Sequence, residues 1–600
     1  VAAFVPSLPA DPVIAGATIF WHLLLFGQLF FGAPPRRRQP ARAWVERADP
    51  VVDRSAPAVR HLLAVSVAIS VAALGYRIGD RGTAQVICLL TGAAALGFAA
   101  PFLVRRLGAR SVAAFAIVAV LVAALAAAGD PGVALSLFAL AQSCTLAWLW
   151  TRTGLFEDLL DLFYRRPAHL VVASFLSLIA LGSLFLSFPA ASSGGTAVPL
   201  LDAVFTATSA ACVTGLIVLD TPADFSSFGH AVILVLIQAG GLNIMVLSAF
   251  AAGLLGRNLG FRGEGALRDM LALHPGRSVR RLVLFIGLGT LAWESLGAAA
   301  LSGLYLRQGV ETGTAIWYGL FHAVSAFCNA GFSLHSNSMV GFAADPAVLA
   351  VIATLITAGG LGFGVLGYAW TRLARRRRDA ESLHARTVLL VSLALVVSGA
   401  VVYCVVEWNH TLADLSPVDR VANALFQSVT LRTAGFNSVE FERLRPATLF
   451  MMLAWMVVGA SPGGTGGGIK TTTAAVLIGS VLALLSRRER AVLFRRRISL
   501  DTVFRSGAIA TAAAVAVAAG AFALLATQGQ RFEVLLFEAV SAFGTVGLSL
   551  GATPSLDGTG KVIVMCLMFA GRIGPLTLAL LVGRASASRV SYPDSRIMVG

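Results

Sequence analysis

Apolar runs of membrane-spanning length follow one another along the chain, and the most informative of them is broken. From Ala447 to Ser486 the sequence is largely apolar for 40 residues, roughly twice what one helix needs to cross a bilayer. FMMLAWMVV gives way at Gly459 to ASPGGTGGGIKTTT, and AAVLIGSVLALL then resumes. Five glycines and a proline in so short a span exclude regular helix, because glycine costs backbone entropy and proline removes a donor. Irregular backbone survives at membrane depth only where protein buries it or water bathes it. The break therefore predicts a wet pathway inside a membrane protein. Gly463 and Gly468 have the spacing of a phosphate-binding loop, but Ile469 stands where lysine must follow and no strand precedes. Nucleotide binding is set aside on both counts.

Upstream, apolar segments at 13–31, 61–76, 84–104, 111–128 and 133–151 predict five helices. The first has no basic residues before it and PPRRR after it, the reverse of a cleaved signal, and reads as a retained helix. Arginines crowd the linker 34–60, the loop at Arg105, Arg106 and Arg110, and the loop at Arg152, Arg165 and Arg166. Positive loops stay in the cytoplasm, so the N-terminus is expected outside and the chain reaches the inner face at Arg166.

Beyond Arg166 a unit repeats four times. An apolar span is followed by a shorter semi-polar segment ending near a glycine, then by a second apolar span and a basic loop. The first spans begin near His169, Leu282, Thr387 and Gly507. The semi-polar segments are FTATSAACVTGLIVLD, FHAVSAFCNAGFSLHS, FQSVTLRTAGFNSVE and FEAVSAFGTVGLSLG. Their glycines, Gly215, Gly331, Gly435 and Gly547, are spaced by 116, 104 and 112 residues. Ser209, Ser325 and Ser541 each lie six residues before the glycine, whereas the third copy has Val429 there. A word repeated four times in phase must be read before anything else.

Each segment is too short to cross, so it predicts a half-helix that enters and turns back. Its C-terminal, partially negative end favours a cation at the membrane centre. The glycine lets the backbone aim successive carbonyls at a common axis, and rings of carbonyls can replace the water shell of a monovalent cation. No carboxylate recurs at the four places, which suits K+ or Na+ better than Ca2+ or Mg2+.

Composition agrees. Of 600 residues 57% are hydrophobic and 13% charged, and mean hydropathy is +0.81, values of a polytopic all-α membrane protein. The net charge of +16 is nearly all arginine, the only lysines being Lys470 and Lys561. It sits in short loops between spans, so topology explains it better than nucleic acid. Six cysteines lie singly in apolar surroundings, indicating neither disulfides nor zinc.

The residues VTGL, CNAGF, RTAGFN and GTVGLS, with SPGGTGGGIKTTT and GRIGPLTL, resemble the TrkH/KtrB superfamily of potassium-uptake proteins over about 165–600. The ending YPDSRIMVG is similar to the C-terminus of the KtrB branch. The resemblance implies a fourfold pseudosymmetric pore of M1–pore helix–M2 units in a bacterial plasma membrane, with a K+ filter. It implies a homodimer and a cytoplasmic ring of RCK-type nucleotide-binding subunits (TrkA or KtrA), and sodium dependence is known in the KtrB branch. The filter residues it implies are Val213, Thr214, Gly215 and Leu216; Asn329, Ala330, Gly331 and Phe332; Thr433, Ala434, Gly435 and Phe436; and Thr545, Val546, Gly547 and Leu548. The five N-terminal helices exceed the extra pair usual in TrkH-like members. The units are 1–167 as N-terminal extension, 168–281, 282–386 and 387–506 as repeats, and 507–600 as the fourth repeat with a cytoplasmic C-terminus.

On this topology the break falls in the second span of the third repeat, on the cytoplasmic side of the filter. Gly463, Gly464, Gly466, Gly467 and Gly468 supply freedom for a loop that lies across the pore and swings aside. Thr465 can line water, and Lys470 adds a charge that a passing cation must clear. The other second spans show no break as long or as polar. Arg572 is an intramembrane arginine in the last span, a functional candidate by position, and it matches the family's arginine below the filter. Glu294 is expected to pair with a helix-end donor. Glu407, Asp202 and Asp220 read as solvated rim charges, Arg432 as a loop tie, and His322 and His335 as loop residues. An ion-coupled symporter is the rival reading, but that class shows inverted repeats and these four run the same way. No histidine–carboxylate cluster or serine–histidine set lies within the spans, which speaks against an enzyme.

Overall fold

The computed structural model describes residues 167–242, 279–375 and 383–574. The expected N-terminal helices, the basic loop from Arg257 to Arg277, Asn243, Arg376 to Arg378 and the C-terminal YPDSRIMVG lie outside them.

The described chain is almost wholly helical. In order it forms α1 (Pro167–Leu186), α2 (Leu200–Ala211), α3 (Ser227–Gly241), α4 (Val279–Arg307), α5 (Thr312–Cys328), α6 (Pro346–Leu361) and α7 (Phe363–Arg375). It continues with α8 (Leu383–Glu407), α9 (Pro417–Thr430), α10 (Pro446–Met456), α11 (Thr471–Leu485), α12 (Leu500–Thr527), α13 (Phe532–Gly544) and α14 (Gly558–Ile573). Among the described residues, 284–307, Leu383–Glu407 and Leu500–Thr527 are long and apolar enough to cross a membrane. The pair α6 and α7 gives a fourth if counted as one bent span. Leu296, Val405, Phe504 and Phe522 on α4, α8 and α12 point outward, as lipid-facing positions do where the backbone is satisfied within the helix.

Local sequence sets the helix starts. Asp345 and Ser416 cap α6 and α9 just ahead of Pro346 and Pro417, the arrangement that satisfies orphan N–H groups and tolerates proline's missing one. Ser226, Ser499 and Asp557 cap α3, α12 and α14. Ser499 starts α12 at Leu500, ahead of the Gly507 expected from hydropathy alone. Between α11 and α12, β1 (Val492–Leu493) and β2 (Arg496–Arg497) form a small antiparallel hairpin in the arginine-rich loop.

The packing closes on itself. The long helices α1, α4, α8 and α12 lie against the short helices that follow them, α2, α5, α9 and α13. Then α3 packs on α5, α6 on α9, α10 on α13 and α14 back on α2. Lys561, near the start of α14, reaches Asp202 in the first turn of α2 at 2.5 Å, so the last and first parts of the described chain are clasped. Asp202 is therefore half of an ion pair and not a free rim charge.

One feature is added to the expectations and one expectation is corrected. The second spans are broken at more than one place: α6 turns into α7 by 103° at Gly362, whose φ is +86°. Gly574 ends α14 in nearly the same conformation, with φ +89°. Glu407 is fully buried instead of solvated at the rim. Its carboxylate accepts from Arg445 N at 3.0 Å and Thr448 Oγ1 at 2.5 Å, and from Thr411 Oγ1 at 2.9 Å. It thus caps the start of α10 from the end of α8. Glu407→Gln turns an N–H2 toward these donors and is expected to lower stability by about 1–3 kcal/mol. A melting temperature in detergent equal to the parent's would refute that role.

Candidate functional site

The site begins where the four short helices stop. Helices α2, α5, α9 and α13 end at Ala211, Cys328, Thr430 and Gly544, within three residues of Val213, Asn329, Thr433 and Thr545. Those four residues all have positive φ, 56°, 60°, 65° and 50°, and so do the glycines two positions later: Gly215 at 93°, Gly331 at 71°, Gly435 at 79° and Gly547 at 89°. The residue between them is not among those with positive φ, so the sign of φ alternates along each segment, and such alternation turns consecutive carbonyls to one side of the chain. Val213, Thr433 and Thr545 are β-branched, for which positive φ is a genuine outlier. Such strain persists only where the surroundings over-determine it. Sequence reasoning singled out the glycines and missed this second left-handed position, because nothing in a valine or threonine announces it.

The four segments meet one another in chain order. A Cβ placed on Gly215 would lie 2.5 Å from Ala330 O, on Gly331 2.9 Å from Ala434 O, on Gly435 2.6 Å from Val546 O, and on Gly547 1.9 Å from Thr214 O. Each glycine thus faces the carbonyl of the residue before the next glycine, and the fourth faces the first. Leu216, Phe332, Phe436 and Leu548 follow on the outside of this ring, all at most 2% exposed.

The recurring serines hold it. Gly215 N and Gly547 N donate to Ser209 Oγ and Ser541 Oγ, each at 3.1 Å, while Ser325 Oγ donates to Phe332 O at 2.7 Å. Thr214, Ala330 and Val546 also donate their N–H to the carbonyls of Ser209, Ser325 and Ser541, each at 2.8 Å. In the third copy Ala434 N donates to Thr430 O at 3.0 Å, so Thr430, not Val429, holds the serine's place.

Residues 457–470, between α10 and α11, pack against the ring on the side where the short helices end. The loop is folded on itself, Gly459 N donating to Ile469 O at 2.9 Å. Thr465, Gly466 and Gly467 are buried. Thr465 Oγ1 sits 3.1 Å from Phe327 O and 3.2 Å from Asn329 Oδ1. A Cβ on Gly466 would meet Thr433 Oγ1 at 1.9 Å, and Gly467 N donates to Thr545 Oγ1 at 3.0 Å. The loop therefore touches the first residue of three ring segments. Gly463 and Gly464 press on the bend at Gly362, and Phe363 N donates to Gly463 O at 3.2 Å. Gly468 has φ +68°, and Lys470 Nζ donates to Gly466 O at 2.7 Å.

Arg572 near the end of α14 joins the loop to the remaining segment. Its Nη1 donates to Thr465 O and its Nη2 to Gly240 O, with Gly241 O at 3.4 Å. Gly240 lies against the carbonyl of Ala211 at the end of α2. No carboxylate pairs with Arg572 among the described residues; Phe175 lies under its guanidinium at 5.9 Å. Glu294 accepts from Gln238 Nε2 at 3.2 Å, in the last turn of α3, and lies 3.9 Å from Cys328 Sγ at the last residue of α5. Among the described residues Arg432 Nε and Nη2 have no partner, while its carbonyl accepts from Asn329 Nδ2 at 3.2 Å. Its tie to the neighbouring segment runs through backbone, not through the guanidinium. His322 lies within α5 and is fully buried, not in a loop.

Carbonyls gathered by alternating backbone between apolar helices make the kind of site that takes a cation out of water. The comparisons agree on the class: residues 160–590 match the TrkH family model, described as cation transport protein. The chain belongs to that family. It is 37% identical over 439 residues to Ktr system potassium uptake protein B of Bacillus subtilis, covering 72% of this chain and 96% of the relative. It is 35% identical to the potassium/sodium uptake protein NtpJ of Enterococcus hirae, over 72% of this chain and 97% of that one. The crystal structure of the potassium transporter TrkH from Vibrio parahaemolyticus shares the fold at TM-score 0.59 and 20% identity, covering 79% of this chain and 96% of that chain.

Proposed function

We propose that the protein takes up potassium across the bacterial plasma membrane through a gated, channel-like pore. The pore is made by four M1–pore helix–M2 repeats, fourfold pseudosymmetric, with boundaries at 168–281, 282–386, 387–506 and 507–600. The observation that carries this reading is the closed contact of Gly215, Gly331, Gly435 and Gly547, each against the carbonyl before the next. Val213–Leu216, Asn329–Phe332, Thr433–Phe436 and Thr545–Leu548 form the filter. Their backbone oxygens replace water around K+, and the negative ends of α2, α5, α9 and α13 favour the bare ion there.

The loop Gly463–Gly468 with Lys470 is the gate, and Arg572 latches it. The filter faces the outside and the gate the cytoplasm, with the N-terminus outside and the C-terminus inside, an orientation that the arginine-rich loops support. Sodium takes part as a second cation, a role supported by the potassium/sodium name of the Enterococcus relative. The chain works as a homodimer with RCK-type cytoplasmic subunits; in support, the name of the Bacillus relative makes that protein one component of a Ktr system.

Flux into proteoliposomes from K+, Rb+ and Na+ tests the reading. The expected result is K+ and Rb+ passing well ahead of Na+, without a fixed co-ion ratio. An obligatory stoichiometry with saturation at low substrate would replace the channel-like pore with a symporter.

A further inference from the structure

One position of the short helices is polar and buried in every copy. Counted from the phenylalanine that opens each repeated word, the next residue is Thr206, His322, Gln427 or Glu538. All four are at most 2% exposed. Three of them reach past the ring to the chain that leaves it. His322 Nε2 lies 3.1 Å from Ser333 Oγ and accepts from Leu334 N at 3.2 Å. Its Nδ1 faces Tyr318 O at 2.8 Å, so the ring is neutral, donating on one side and accepting on the other. Gln427 Nε2 donates to Ser438 Oγ at 3.2 Å. Glu538 accepts from Ser549 Oγ and, at 2.9 Å, from Thr553 Oγ1.

We infer that His322, Gln427 and Glu538 are positioning residues of the filter, each a polar strut that fixes the chain leaving its glycine from behind. This rests on the filter reading above. The physical reason is that the chain at 332–336, 436–439 and 548–551 is neither helix nor strand. No ladder of backbone bonds holds it, so side chains must set the spacing of the carbonyls it carries. A looser spacing lets the carbonyls close on a smaller ion, and discrimination against Na+ falls. The first copy is the exception: Thr206 Oγ1 has no partner among the described residues, and Ile217 stands where Ser333 and Ser549 do. Three segments are braced and one is not.

Purified full-length chain in proteoliposomes, assayed with K+ and with Na+, decides it. Glu538→Ala and Ser549→Ala are each expected to raise the ratio of Na+ to K+ flux about tenfold, the scale of one lost buried hydrogen bond. Gln427→Ala is expected to move the ratio the same way, whereas Thr206→Ala leaves it at the parent value. Ser549→Ala reads the Glu538 contact from the loop side, so the test stands even where Glu538→Ala fails to fold. Folded Ser549→Ala and Gln427→Ala with the parent's ratio overturn the strut while the transport reading stands. A parent protein that passes no K+, or does not prefer it, overturns the transport reading itself and the strut with it.

Discussion

Gly547→Ala is expected to reduce K+ flux more than a hundredfold while leaving the helices intact. The added methyl carbon would sit 1.9 Å from Thr214 O and 3.1 Å from the Cα of Gly215, both backbone atoms that no rotamer change can move aside. Holding a non-glycine at φ +89° adds about 1–2 kcal/mol of strain. Gly551→Ala is the control, because Gly551 is equally left-handed at φ +86° but has open space where its Cβ would go. It bears the strain without the collision and is expected to stay within about twofold of the parent, since strain alone is a modest term. Measured by Rb+ uptake and circular dichroism, equal losses at both positions would show that close approach across the ring is not what matters.

Arg572→Ala is expected to raise conduction by roughly tenfold or more. Two charge-assisted hydrogen bonds, to Thr465 O and Gly240 O, hold the loop against the ring, and each is worth about 1.5–3 kcal/mol. If the proposed pore passes Arg572, removing the guanidinium also removes a fixed positive charge beside the ion, which pushes in the same direction. Arg572→Lys separates the two effects. It keeps the charge but loses the planar fork that spans two carbonyls. If the latch dominates, lysine conducts nearly as fast as alanine; if the charge dominates, lysine stays near the parent. Deleting Gly463 to Gly468 is expected to raise conduction too and to leave the preference for K+ over Na+ unchanged. Flux in the alanine variant at or below the parent's, in folded protein, would remove Arg572 from the gate.

The ring was legible because four copies of one short word carried it, and the glycine in each is required by its backbone conformation. Register within the word was less secure. Phe205, Phe321 and Phe537 stand ten residues before their glycines, but Phe426 stands nine before Gly435. Counting back from the glycine therefore lands on Val429, whereas the hydrogen bond from Ala434 N picks Thr430. The bend at Gly362 was not legible because the glycines around it, Gly359, Gly360 and Gly364, stand in a run with no polar residue to mark a break, unlike the six in the loop at 459–470. Glu407 looked like a rim charge because hydropathy places it at a helix end, and only the fold brings Arg445 N and Thr448 Oγ1 to it. The latch was half visible: Arg572 stood out as a charge within a span, but its carbonyl partners lie 107 and 332 residues away.

The clasp between Lys561 and Asp202 has a bearing on how the molecule is made. The two residues are 359 apart in sequence, and at a synthesis rate of about 5–20 residues per second the first waits roughly 20–70 seconds for the second. Thr214 O meets Gly547 across the same seam. Until α14 emerges, the ring of glycine and carbonyl contacts lacks its closing pair, and Thr214 O waits for Gly547. Birth order thus leaves the weakest moment of assembly at the joint between the oldest and the youngest of the glycine segments.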